Sequence, residues 1–193
     1  MMLYDHVADL DLRIDDYDFE YHLRETSSGF TRATTVVALH GDGEVGRGED
    51  VTYDTEPHET LRDESTAFPV MGSYTLDAFS DGLSVVDLFG GDEPGQSIFR
   101  NYRRWAFESA ALDLALRQAD TNLADCLGRT YDPVRFVVST RLAEPPTGQR
   151  VVDWLDRNSE LEFKLDPTSE WTPAVIERLA STDAVRTLDL KGQ

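Results

Sequence analysis

Lysine occurs only twice in these 193 residues, at positions 164 and 191, and arginine carries the rest of the positive charge. Both lysines close short apolar runs, Leu161-Glu-Phe-Lys-Leu-Asp166 and Val185-Arg-Thr-Leu-Asp-Leu-Lys191, and each stands two residues from an aspartate, Asp166 or Asp189. In a strand that spacing puts lysine and aspartate on the same side. A lysine ammonium is a compact charge whose pKa moves with its surroundings, so it can serve as acid, base or oxyanion partner where arginine cannot. A carboxylate beside it suits a hard cation such as Mg²⁺, which takes carboxylate oxygens and keeps several waters. Asp189 is the candidate ligand. The same residues also fit a plain structural ion pair between Asp189 and Lys191, in a chain that is poor in lysine throughout. One carboxylate is not a metal site, and at least two further ligands would have to come from strands outside this sequence.

The elements around these residues predict strands at 134–140, 161–165 and 185–190, with helices at 149–157 and, capped by Thr172, up to residue 180. Lys164 and Asp189 lie 25 residues apart, the usual repeat of one βα unit. Three parallel strands with short connections fit the opening of a (β/α)₈ TIM barrel, whose active site sits at the C-terminal strand ends. A doubly wound sheet would fit the repeat too, but its glycine-rich first turn is missing. The residues after Pro133 are too few for a barrel of roughly 250 residues, so the sequence predicts an incomplete barrel: a fragment, a truncated product or one half of a split enzyme.

Upstream, residues 7–14 alternate apolar and polar as a half-buried strand does. Residues 30–40 are rich in threonine and valine. A Gly41-Asp42-Gly43 turn leads into a further strand at 44–52. Gly43, Gly46 and Gly48 precede no strand-to-helix switch, so they read as turn and bulge glycines and not as a phosphate loop. From residue 56 the pattern turns helical. Helices are expected from Pro57, at 76–89 ending at Gly90-Gly91, and at 99–119 with Ser97 as cap. The last of these carries small residues at helical spacing between Ala106 and Leu116, which suits close packing on another element. The fold class is therefore an α+β domain, a three-stranded antiparallel sheet plus helices, over 1–128, followed by the first three βα units of a barrel over 129–193.

The formal charge of -19 opposes binding to nucleic acid or to an anionic membrane. An apolar share of 40% is still enough for a core. The acidic surface and the arginine bias read as the protein of a salt-in halophile. The single cysteine, Cys126, leaves no internal disulfide. No stretch approaches ~18 uninterrupted apolar residues, and no basic-then-apolar leader opens the sequence, so a cytoplasmic protein is expected. His6, His22, His40 and His58 show no metal-ligand spacing.

These residues resemble the enolase superfamily, and more closely its muconate-cycloisomerase-like and mandelate-racemase-like branches. Gly41-Asp-Gly-Glu-Val-Gly-Arg-Gly-Glu49 is similar to the family's G-x-G-x-x-G-x-G-E hairpin, and Ala110-Ala-Leu-Asp-Leu-Ala-Leu116 to its A-A-x-D-x-A-L helix. The resemblance implies a capping domain over a barrel, and Mg²⁺-assisted removal of a proton alpha to a carboxylate. That would make the protein a lyase or isomerase of a small carboxylic acid, by dehydration, cycloisomerisation or epimerisation. By the same resemblance Lys164 matches the first lysine of the family's K-x-K, the carboxylate or enolate partner, and Asp189 matches the first metal aspartate of its D-x-N. Two positions depart: Asp166 stands where the acid/base lysine belongs, and Lys191 where the asparagine belongs. Lys191 is expected to supply the missing amine, so the catalytic candidates are Lys164, Asp166 and Lys191. Thr26, Ser27, Ser28, Phe30 and Arg32 match the family's mobile substrate-covering loop. The alternative is a non-catalytic or split-enzyme subunit with a binding or assembly role. Either a homo-oligomer or a complementary barrel chain is the expected assembly.

Overall fold

Apolar and polar residues alternate through Asp11–Ile14 (β1) and Thr31–Gly41 (β3), and in each the apolar set lies in the core: Leu12 and Ile14 in the first, Ala33, Val37 and Leu39 in the second. The protein is seen here as a computed structural model that describes residues 2–26, 29–63 and 67–191. It divides into two units, Met1–Tyr131 and Asp132–Gln193.

In the first unit β3 is the middle strand of an antiparallel sheet between Asp16–Glu25 (β2) and Glu44–Asp50 (β4). Sequence reasoning left β2 unread and made 7–14 the first strand. Only β1 is extended there, and it pairs with Gly72–Thr75 (β5) in a separate two-stranded sheet. The helices are Glu56–Asp63 (α1), Leu76–Leu83 (α2), Ile98–Gln118 (α3) and Leu123–Cys126 (α4). The second of these stops well short of the expected residue 89, and the chain turns back after Ser84. Ser97 precedes α3 but makes no side-chain cap bond. Among the described residues no helix is long and apolar enough to cross a membrane.

The long helix α3 lies against β4, and the glycines of the strand explain how closely. A Cβ at Gly46 would overlap the backbone of Ala110 and Leu114, and one at Gly48 the Ala106 carbonyl. These are not bulge glycines. They let strand and helix backbones meet across the alanines of α3, which are fully buried.

One ion pair is sealed into this core. Arg103 Nε donates to Asp50 Oδ2 at 2.9 Å, Nη1 to the Leu88 carbonyl at 3.0 Å and Nη2 to the Pro57 carbonyl at 2.7 Å. The other Asp50 oxygen accepts from the Thr52 amide and hydroxyl at 2.9 and 2.6 Å. His58, also buried, bonds the Thr35 hydroxyl and the Thr52 carbonyl. Arg103→Met would strand the Asp50 carboxylate in the core, and breaking a buried pair from one side costs about 3–5 kcal/mol. Urea unfolding of the variant should show a loss of that size. An unchanged midpoint would mean that the pair is open to water.

The second unit contains Val138–Thr140 (β6), Gln149–Leu155 (α5), Phe163–Leu165 (β7), Pro173–Ala180 (α6) and Val185–Leu188 (β8). Its strands form a parallel sheet in the order β6-β7-β8. Thr172 caps α6 by accepting from the Val175 amide, as the sequence predicts, and Pro173 stands in the first turn. The strand expected at 134–140 is paired only from Val138. Only that stretch lies beside the three-residue β7, and Val134 and Phe136 stay exposed. Phe163 and Leu165 are buried in one cluster with Val151 of α5 and Leu179 of α6, which turns the residue between them, Lys164, to the opposite face.

Candidate functional site

The β7–β8 register sets Lys164 beside Thr187 and Leu165 beside Leu188, and the Asp189 amide donates to the Leu165 carbonyl at 2.9 Å. Asp166 and Asp189 therefore leave adjacent strands at the same level, at their C-terminal ends. Lys191 takes a left-handed backbone conformation, φ 50°, and its amide donates to Asp189 Oδ1 at 3.2 Å. The chain thus turns back on itself and returns the lysine side chain to the carboxylate it has just passed.

All four residues singled out from the sequence meet here. Lys164 Nζ and Lys191 Nζ each lie 2.7 Å from Asp189 Oδ2. Asp166 sits between the same amines, 3.7 Å from each. The Asp166 side chain is the most covered of the four, and its Oδ1 is buried without a hydrogen-bond partner among the described residues. Its Oδ2 accepts from Arg141 Nε at 3.3 Å. Hydrogen bonds from Lys164, and then from Lys191, hold the Asp189 carboxyl well below the usual carboxylate range. The bond to Asp189 in turn raises the pKa of Lys191, so this ammonium stays charged at neutral pH.

Sequence reasoning missed Arg141, which directly follows β6. Thr140 is paired with Leu165, so the next residue on each strand, Arg141 and Asp166, fall side by side. Its position at a predicted strand end was the available signal.

Asp189 is the one carboxylate here that the resemblance assigns to Mg²⁺, and both lysines lie 2.7 Å from it. Both acids already face ammonium or guanidinium groups, and no three His, Cys, Asp or Glu side chains are grouped to hold a metal among the described residues.

The proposed substrate-loop residues lie in the first unit. Thr26 Oγ1 donates to the Phe30 carbonyl at 2.8 Å. Phe30 stacks on Tyr53 at 6.0 Å, and the Arg32 guanidinium lies 4.9 Å from the centre of the same ring. Ser27 and Ser28 lie outside the described residues.

Two family models match the chain: the N-terminal domain of a domain of unknown function (DUF8230) over residues 5–126, and its C-terminal domain over 130–193. Among solved structures, muconate lactonizing enzyme from Pseudomonas putida superposes with a TM-score of 0.58 at 17% identity, covering 92% of this chain and 52% of that one. A probable mandelate racemase from Alicyclobacillus acidocaldarius gives 0.49 at 18% identity, covering 92% of this chain and 48% of that one. A member of the enolase superfamily from Enterococcus faecalis gives 0.42 at 14% identity, covering 89% and 56%. The chain thus spans about half the length of the solved proteins it matches. At such identity the likeness to the first is one of fold alone. No curated protein matches the sequence.

Proposed function

The chain belongs to the DUF8230 family, and from that premise we propose that it carries the cap and the opening barrel strands of an enolase-superfamily enzyme acting on a small carboxylic acid. In this reading residues 1–128 form the capping domain and 129–193 begin the barrel. The reaction removes the proton alpha to the carboxylate. The C–H bond breaks, its proton passes to the small fraction of Lys191 that is neutral, and the electron pair spreads onto the carboxylate as an enolate facing the Lys164 ammonium. Because the bond to Asp189 keeps Lys191 mostly charged at neutral pH, exchange should rise with pH. Asp189 holds both amines at 2.7 Å, and Asp166 stands 3.7 Å from each. The observation that carries the reading is the meeting of two amines, from adjacent parallel strand ends, on one carboxylate at 2.7 Å. Positive groups fixed where negative charge develops are the largest single source of stabilisation for such an intermediate. Asp189 is the residue a Mg²⁺ ion would use, and the cation is given no step, because two ammonium groups already hold that carboxylate.

The second reading is a binding or assembly subunit without catalysis. It is favoured by the aspartate at position 166, where the family resemblance calls for a lysine. Hydrogen exchange separates the two. The protein is incubated in D₂O with Mg²⁺ and a panel of small 2-substituted carboxylic acids, and the alpha-proton signal is followed by NMR. Wash-out that disappears in Lys164→Met is the expected result. Binding of an acid without wash-out would overturn the catalytic reading and leave the binding one.

A further inference from the structure

The helix α3 is apolar on two opposite sides. Its inner side, with Phe99, Ala106, Phe107, Ala110 and Leu114, is buried in the core of the first unit. At 3.6 residues per turn, Ile98, Trp105 and Leu112 fall on one line down the opposite side, with Tyr102 and Leu116 beside it. The outermost line of a surface helix is ordinarily charged or polar, yet here it carries Trp105, 53% exposed, and Ile98, 38% exposed. Trp105 and Ser109 line a groove of about 280 Å³ whose apolar wall includes Tyr4, Leu76, Phe79 and Leu112. Ser109, small and exposed, follows Trp105 by one turn. The acids that flank the stripe are neutralised within the helix: Glu108 accepts from Arg104 Nε at 2.8 Å, and Asp113 from Arg117 Nε at 3.0 Å. In a chain of formal charge -19, this stripe has no surplus charge of its own.

We propose that the outer side of α3 docks a second copy of this chain, as a two-fold pair of antiparallel helices. In a two-fold interface one surface meets itself, so residue i of one copy touches j of the other and j touches i. The stripe on α3 is complementary to its own reversal. With the axis at the level of Phe107, Trp105 lies opposite Ser109 of the second copy, Tyr102 opposite Leu112, and Ile98 opposite Leu116. Each indole then meets the small residue of the other helix and enters the groove beside it. The charges agree with this register. Arg104 and Glu108 share one flank of the helix a turn apart, so reversal lays Arg104 of each copy near Glu108 of the other, and the two pairs join in an alternating set of four. Two strongly acidic chains repel over most of their surfaces, and a neutral aromatic stripe is where they can approach. Exposed tryptophan and tyrosine at its centre are the residue types that anchor such contacts. The proposal holds whatever chemistry the strand ends perform.

Sedimentation velocity of the full chain, over a series from micromolar to hundreds of micromolar, should show a reversible dimer. Trp105→Asp sets a charge at the centre of the pair and should weaken dimerisation by about thirtyfold or more. Its circular dichroism melt should match that of the parent, because the indole is half exposed. Trp105→Ala serves in its place if the aspartate variant melts early. Val85→Asp is the control: it adds the same charge to a residue that is 86% exposed and lies outside the stripe, so it should leave dimerisation unchanged. Arg104→Glu should weaken the dimer, and the exchange Arg104→Glu with Glu108→Arg should restore it. Monomers throughout the series would overturn the proposal. So would a dimer that Trp105→Ala leaves intact, or one that Val85→Asp splits as readily as Trp105→Asp does. A monomer that floats with phosphatidylcholine vesicles, and no longer does so as Trp105→Asp, would give the stripe to a lipid surface and overturn the proposal in that way.

Discussion

Gly48→Val is expected to unfold the N-terminal unit at room temperature. A Cβ at this position collides with the Ala106 carbonyl and the Ala110 amide, both backbone atoms of α3. No rotamer change can make room, so the helix would have to leave the strand along the contact that holds the core together. Ordinary overpacking costs about 1–3 kcal/mol, and backbone displacement belongs with the exceptional cases above about 4 kcal/mol. A domain of this size has only about 5–15 kcal/mol in total. Gly82→Ala is the control. It lies in α2, where an added Cβ meets nothing within 4 Å, so it should leave stability unchanged or raise it by about 0.5–1 kcal/mol. Circular dichroism melts of the two variants decide the matter. A folded Gly48→Val with a near-native midpoint would show that β4 and α3 do not meet this closely.

The two halves of that contact were both visible in the sequence, as glycines at every second position of a strand and small residues at helical spacing between 106 and 116. Their belonging to each other could not be read, because nothing local links residue 48 to residue 106. The same limit explains the strands. Alternation over Tyr17, Phe19 and Tyr21 against acidic neighbours was there to be seen, yet whether 7–14 or 16–25 borders β3 is decided by long-range pairing. The short β5 that claims β1 carries almost no signal of its own. Strand period alone puts Lys164 and Asp166 on one face, and capping residues such as Thr172 act locally. The strand expected at 185–190, by contrast, ends at Leu188, and Lys191 comes back to Asp189 through a left-handed turn that the period did not announce. Arg141 escaped because its meaning depends on the β6–β7 register, which brings residue 141 beside residue 166.

Lys191→Met is expected to abolish alpha-proton exchange in a protein that shows it. Lys191 reaches the site from the turn after β8, where its backbone φ of 50° and the 3.2 Å amide bond to Asp189 bring it back over the strand end. Methionine keeps the length and the apolar stem of the side chain and removes only the amine. Loss of a group that carries a proton in the transition state lowers the rate by about 10²–10⁴-fold. The fold should not suffer, because the lysine side chain is 51% exposed and ion pairs this open to water contribute little to stability. The remaining contact, Lys164 on Asp189, holds the strand ends together. Lys191→Arg sharpens the test. It preserves the charge but not an amine that can deprotonate, so it should restore ligand affinity and not exchange. If exchange continues unchanged in Lys191→Met, the proton travels by another group, and Asp166, the carboxylate set between the two amines, becomes the base to remove next.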